Sequence, residues 1–160
     1  QADAPPAQTL PEPLDDNTGL PLSGKTTLAA ARLDFQHPIM FPPALGEPHH
    51  VYLQDFGSGP FVVLLWVQPT SPAQVTAVQY ILRPNTSLTK GPVPALTETE
   101  VNGIPAILTD GPYPVNVPGF HQAVRFVGEH ALIWERDGLT YRLEIDGTME
   151  DAVRLAESIP

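Results

Sequence analysis

Over the last forty residues, apolar and polar positions alternate with a period of two, and the pattern folds back on itself around one dipeptide. Asp137-Gly138 is a turn pair suited to joining two twisted strands, because both central positions of such a turn take positive φ. A turn there sets Arg136 opposite Leu139, Trp134 opposite Tyr141 and Leu132 opposite Leu143, with Glu135 facing Thr140 and Ile133 facing Arg142. Leu132, Trp134, Tyr141, Leu143 and Ile145 then share one face, and Thr140, Arg142 and Glu144 fall on the other. A slip of one residue would turn the whole apolar set outward, so the register of residues 132–145 is strongly specified. After Gly147, Thr148 is placed to cap a helix whose third residue is Asp151, with Ala152, Val153, Ala156 and Ile159 as its buried stripe. That helix is expected to cover one face of the sheet.

The earlier chain carries the same punctuation. Thr26 or Thr27 caps a short helix with Leu28, Ala31 and Phe35 on one face. A proline-rich loop at residues 41–48 leads to a strand at 51–56, and Gly57-Ser58-Gly59 turns the chain into the apolar run 61–67. That run is apolar on both faces and is therefore expected to be a central strand. Residues 75–82 predict another strand, with Val78, Tyr80 and Leu82 on one face. Asn102-Gly103 between Val101 and Ile104 predicts a second tight hairpin, and Pro105, which has no N–H to give to a ladder, favours an edge for it. The expected fold class is α+β: an antiparallel β-sheet of hairpins, with a short N-terminal helix and a C-terminal helix packed on the sheet. Residues 1–22, with five prolines among polar residues, are expected to be an extended tether, and residues 23–160 a single domain.

Composition narrows the function. A hydrophobic fraction of 42% in 160 residues is enough for one core. The longest apolar run, residues 61–67, falls far short of the roughly 20 residues that span a bilayer, so the chain is not expected to insert in a membrane by itself. The sequence opens on Gln1 without a basic start and apolar stretch, so any export signal or anchor is expected upstream. A net charge of −10 repels phosphate backbones, which argues against nucleic acid as a partner. With no cysteine, the chain has no disulfide, thiolate metal site or cysteine nucleophile.

Several motifs suggest chemistry and lack its context. Residues 19–26, GLPLSGKT, match the phosphate-binding loop, but the acidic residues before Gly19 are not the buried strand that such a loop must leave. Ser87-Leu88-Thr89-Lys90 fits the Ser-x-x-Lys pattern of penicillin-recognising enzymes, yet it sits between Pro84 and Pro92, where a helix start is disfavoured. His49 and His50 lie near Asp55, but neighbours in a strand point to opposite faces and do not readily chelate one ion, and His121 and His130 could join only through the fold. Asp15-Asp16 belongs to the tether, and Glu150-Asp151 suits the positive end of a helix. Trp66 and Trp134 read as core aromatics. The expectation is therefore a non-enzyme, with no catalytic residue, cofactor or metal assigned.

Two segments carry a family resemblance. LIWERDGLTYRLE at residues 132–144, followed by MEDAVRLAES at 149–158, resembles the end of a bacterial domain of unknown function found as the extracytoplasmic C-terminal part of membrane-anchored anti-sigma factors and related exported proteins. A tryptophan strand, a tight turn, a Tyr-x-Leu strand and a helix ending in Ala-Glu-Ser recur in that family. Leu28-Ala29-Ala30-Ala31, Phe35, Pro42 or Pro43, Leu45-Gly46-Glu47-Pro48 before Val51-Tyr52-Leu53, and Val101-Asn102-Gly103-Ile104-Pro105-Ala106 fit as well, so the resemblance covers roughly residues 26–159. It implies an extracytoplasmic, bacterial location, with a cytoplasmic sigma-binding part and a transmembrane helix ahead of Gln1. It supplies no catalytic or ligand residues. The leading expectation is a sensory or interaction module that passes the state of an extracytoplasmic protein partner or ligand inward by a population shift. The alternative is a periplasmic lipid- or lipoprotein-binding module resembling lipoprotein carriers, with Phe61, Leu65, Trp66, Tyr80 and Trp134 lining an apolar cavity.

Overall fold

The computed structural model describes residues 24–55, 60–82, 89–90, 95–110, 115–117, 120–124 and 130–160. The expected tether at 1–22 and the turn at 57–59 lie outside the described residues. Along the chain the elements are β1 (Lys25–Thr26), α1 (Leu28–Phe35), a 3-10 turn (Pro43–Leu45), β2 (His50–Asp55), β3 (Pro60–Gln68), β4 (Ser71–Leu82) and β5 (Thr89–Lys90). Then come β6 (Ala95–Val101), β7 (Ile104–Asp110), β8 (Val115–Val117), β9 (Phe120–Val124), β10 (His130–Arg136), β11 (Leu139–Ile145) and α2 (Met149–Glu157).

The fold is α+β. Eight strands form one antiparallel sheet in the order β1-β2-β3-β4-β11-β10-β7-β6, and β5, β8 and β9 pair as a small second sheet. Positive φ at Asp137 (53°) and Gly138 (80°) closes the β10–β11 hairpin, and the predicted pairs form, from Arg136 with Leu139 to Leu132 with Leu143. Asn102 (φ 51°) and Gly103 (φ 80°) do the same for β6 and β7. The main sheet is thus two meanders, β1 to β4 and β6-β7-β10-β11, joined where the last strand lies against β4 with Tyr141 opposite Ile81 and Leu143 opposite Gln79.

Both helices pack on one face. Ala31 and Phe35 of α1, Ala152 and Ala156 of α2, and Ile159 share a buried cluster with Val62, Leu64, Trp66, Ile81, Leu132, Trp134, Tyr141 and Leu143. Each fully buried Val, Leu, Ile or Phe side chain in it contributes about 1.5–3 kcal/mol relative to its exposed state. The ends of α2 follow from its sequence: the Thr148 hydroxyl accepts the N–H of Asp151 at 3.1 Å, and the Asp151 carboxylate accepts the N–H of Thr148 at 3.3 Å, a reciprocal capping box. Thr27 caps α1 by accepting the N–H of Ala30. The second face carries its own cluster, Tyr52, Phe61, Val63, Leu65, Val67, Val78, Tyr80 and Leu82. Strand β3 is therefore apolar on both faces and central, as its sequence predicts.

The β6–β7 hairpin lies at the edge of the sheet, as expected, with β6 as the outermost strand and Pro105 one strand in, on β7. Pro105 is tolerated there because the β10 ladder ends at Ala106, opposite Trp134, so it pairs with Glu100 alone and owes no N–H to the other side. Between the tether and α1 there is also a strand: Lys25 and Thr26 pair with Tyr52 and Val51. Gly24 makes that approach possible, because at φ 76° its carbonyl accepts the N–H of Leu53 at 3.0 Å and a Cβ would lie 2.2 Å from the Leu53 carbonyl oxygen. Among the described residues no helix is long and apolar enough to cross a membrane.

Candidate functional site

The five residues expected to line an apolar cavity are divided by the sheet. Phe61, Leu65 and Tyr80 belong to the cluster on the face away from the helices, whereas Trp66 and Trp134 belong to the helix-covered cluster. Period two explains the division: 61 and 65 share a parity on β3 and 66 has the other. The structure brings the first three together, with Phe61 opposite Leu82, Val63 opposite Tyr80 and Leu65 opposite Val78. It keeps the tryptophans apart, on β3 and β10, with β4 and β11 between them. The five do not line one cavity. Trp66 donates its Nε1–H to the Gly46 carbonyl at 3.0 Å and meets Phe41 edge-on at 5.9 Å, while Trp134 stacks on Tyr141 with centroids 5.2 Å apart. Both tryptophans serve as core aromatics.

The polar groups that sequence reading missed lie inside the sheet. Arg142 and Glu144 are two residues apart on β11, so both point to the face away from the helices. They are 3% and 0% exposed, and Arg142 Nε donates to Glu144 Oε2 at 2.6 Å. The guanidinium also lies 5.9 Å from the centroid of the Tyr80 ring, its cross-strand neighbour. Burial pushes the Tyr80 phenol far above its ordinary pKa; the Glu144 carboxylate adds to that rise and Arg142 opposes it. The guanidinium and the carboxylate offset each other's charge in the buried interior of this face. Alternation alone places such residues in solvent, which is why sequence reading sets them on an outer face.

A second buried polar group lies on the helix-covered face. Gln79, between Leu64 and Leu143 in adjacent strands, is fully buried and donates its Nε2–H to the Met40 carbonyl at 2.6 Å. Its Oε1 has no hydrogen-bond partner among the described residues. The bond ties the segment before the 3-10 turn to the centre of the sheet. Beside that segment an open cleft of about 570 Å³ is lined by Arg32, His37, Ile39, Met40, Phe41 and Pro160, among others.

The remaining motifs take structural parts. Lys25 and Thr26, the last two positions of the phosphate-loop match, are in β1, paired to β2, and do not open a helix with free N–H groups. Thr89 and Lys90 of the Ser-x-x-Lys match pair with Asn116 and Val115, and Ser87 lies outside the described residues. His49 Nδ1 accepts the N–H of Val67 at 3.1 Å, at the irregular end of the β3–β4 ladder, which makes it a stitch between two chain segments. No group of three or more metal-ligating side chains occurs among the described residues. Asp151 is held below the ordinary carboxylate range by its hydrogen bonds with the Thr148 side chain, then the Thr148 backbone, then Arg154.

What fold and side chains define together is an α+β domain with an antiparallel sheet, two helices on one face and a buried ion pair on the other. Comparison of the chain with protein-family models, with curated proteins and with solved structures gives no match.

Proposed function

We propose that this chain is a non-catalytic sensory or interaction domain on the extracytoplasmic side of a bacterial membrane, in a membrane-anchored anti-sigma factor or a related regulator. One observation supports the reading. The two segments that resemble the anti-sigma-associated domain, residues 132–144 and 149–158, come together as a unit: a hairpin in the middle of the sheet and the capped helix that covers it. Three of their charged residues are engaged in structure, Arg142 and Glu144 with each other and Asp151 with its own helix start. A domain built in this way acts by being bound or released, and shifts the population of a regulator joined to it without a reaction of its own. The test is the gene product upstream of Gln1. A transmembrane helix preceded by a His/Cys zinc-binding segment is the expected finding, and a cleavable signal peptide alone would overturn the anti-sigma assignment.

A further inference from the structure

The sheet has two edges of unequal kind. Among the described residues, strand β1 is two residues long, while β6 spans Ala95–Val101 and pairs along one side only, with β7. Val101 and Ile104 flank a two-residue turn and form the hydrogen-bonded pair that closes it. Bonded and non-bonded pairs then alternate, so Thr97 and Thr99 bond inward to β7, and Glu98 and Glu100 turn their N–H and C=O outward. These two residues are exposed, and their side chains stand on the face away from the helices, Glu98 in the row that runs on through Ile107 and Ile133, both half-buried, and Glu100 opposite Pro105.

From this arrangement we propose that the outer edge of β6 is a docking site for an extended segment of a partner protein with lysine or arginine at alternate positions. The proposal deepens the interaction reading by naming its partner's chemistry. A strand added to this edge bonds to the backbone of Glu98 and Glu100, and the partner residues directly opposite them project on the same face as the two carboxylates. Basic side chains there complete two cross-strand charge pairs. A second copy of this chain is the poorer occupant: antiparallel pairing of two β6 edges sets Glu98 and Glu100 against Glu98 and Glu100, and like charges directly opposite are destabilising. The overall charge of −10 favours a basic partner in the same sense. The edge is also held in place, since the Asn102 N–H donates to Glu157 Oε2 at 3.3 Å and Asn102 Nδ2 to the Glu157 carbonyl at 3.1 Å. Occupancy of β6 is thereby connected to the C-terminal end of α2.

The test uses the chain labelled with nitrogen-15 and two eight-residue synthetic peptides, one alternating Lys with Val and the other Glu with Val, at low salt. With the lysine peptide, amide exchange at Glu98 and Glu100 slows while that at Thr97 and Thr99 is unchanged; the glutamate peptide leaves all four alone. The double variant Glu98→Lys, Glu100→Lys reverses the preference, with about a tenfold loss of affinity for the lysine peptide, the order expected of two cross-strand charge pairs. Glu98→Pro removes one outward N–H, spares the β7 ladder and also weakens binding; if that variant unfolds, the charge reversal decides. No response at millimolar lysine peptide, protection at another strand, or a preference unaltered by charge reversal would each overturn the proposal. None of these results depends on a membrane anchor, so this test and that of the upstream sequence fail separately.

Discussion

Arg142 and Glu144 sit in the middle of a face whose neighbours in β3 and β4 are Tyr, Phe, Val and Leu. Removing one partner from such a pair leaves the other charge buried without its nearest compensation, which costs about 3–5 kcal/mol. Arg142→Met is expected to lower the stability measured by urea denaturation by about that amount. Glu135→Gln, at an exposed site on the same face, should change it by less than about 0.5 kcal/mol. Tyr80 makes a pH prediction of definite sign. Its folded pKa is raised, so above pH 10 the unfolded chain loses a proton that the folded chain keeps, and stability present below that pH falls as pH rises further. Tyr141 is raised too, by burial first, with Arg136 opposing and Asp137 adding. Alkaline unfolding of Tyr80→Phe should therefore show a shallower fall with pH than the parent. The face of Arg142 and Glu144 was legible from alternation, but their burial was not: a polar side chain on a half-buried strand predicts solvent, and what decides otherwise comes from residues far away in the chain.

At the scale of the element, the sequence is legible wherever the signal is local. The Asp137-Gly138 and Asn102-Gly103 turns, the register they impose and the box between Thr148 and Asp151 are each read within a few residues, and all of them form. Thr148→Ala should cost about 1 kcal/mol by thermal or urea unfolding, because the N–H of Asp151 loses its acceptor at a helix start. The Asp151 pKa is lowered in the fold, so its stabilising effect is present above the ordinary carboxylate range and is lost as pH falls through the folded value; the variant should be less sensitive to that acid step. Strand β1 was not legible, since two residues have no periodicity. Its requirement is steric, and Gly24→Ala, which sets a Cβ against the Leu53 carbonyl at a positive φ, should detach β1 and weaken the protection of the Leu53 amide from hydrogen exchange. The grouping of Phe61, Leu65, Trp66, Tyr80 and Trp134 failed for a reason present in the sequence itself: it followed residue type, whereas parity along β3 already separates Trp66 from Phe61 and Leu65.

For the whole molecule the decisive contact is the pairing of β4 with β11, which makes one sheet of two meanders and has no local signature. Trp66 lies in the first meander and Trp134 in the second, so Trp134→Phe and Trp66→Phe variants each leave one reporter. If the join is cooperative, each variant's fluorescence will show a single urea transition coincident with its own circular dichroism; a lag between the two signals would mean that the halves unfold separately. The same join sets an order in time. As the chain is synthesised, β4 is finished roughly 60 residues before β11 exists, and at about 5–20 residues per second its hydrogen-bonding edge, with Val78, Tyr80 and Leu82 along it, waits for several seconds without its final neighbour. During that interval the growing chain has a sticky flank, on which either its own last strand or another molecule can close.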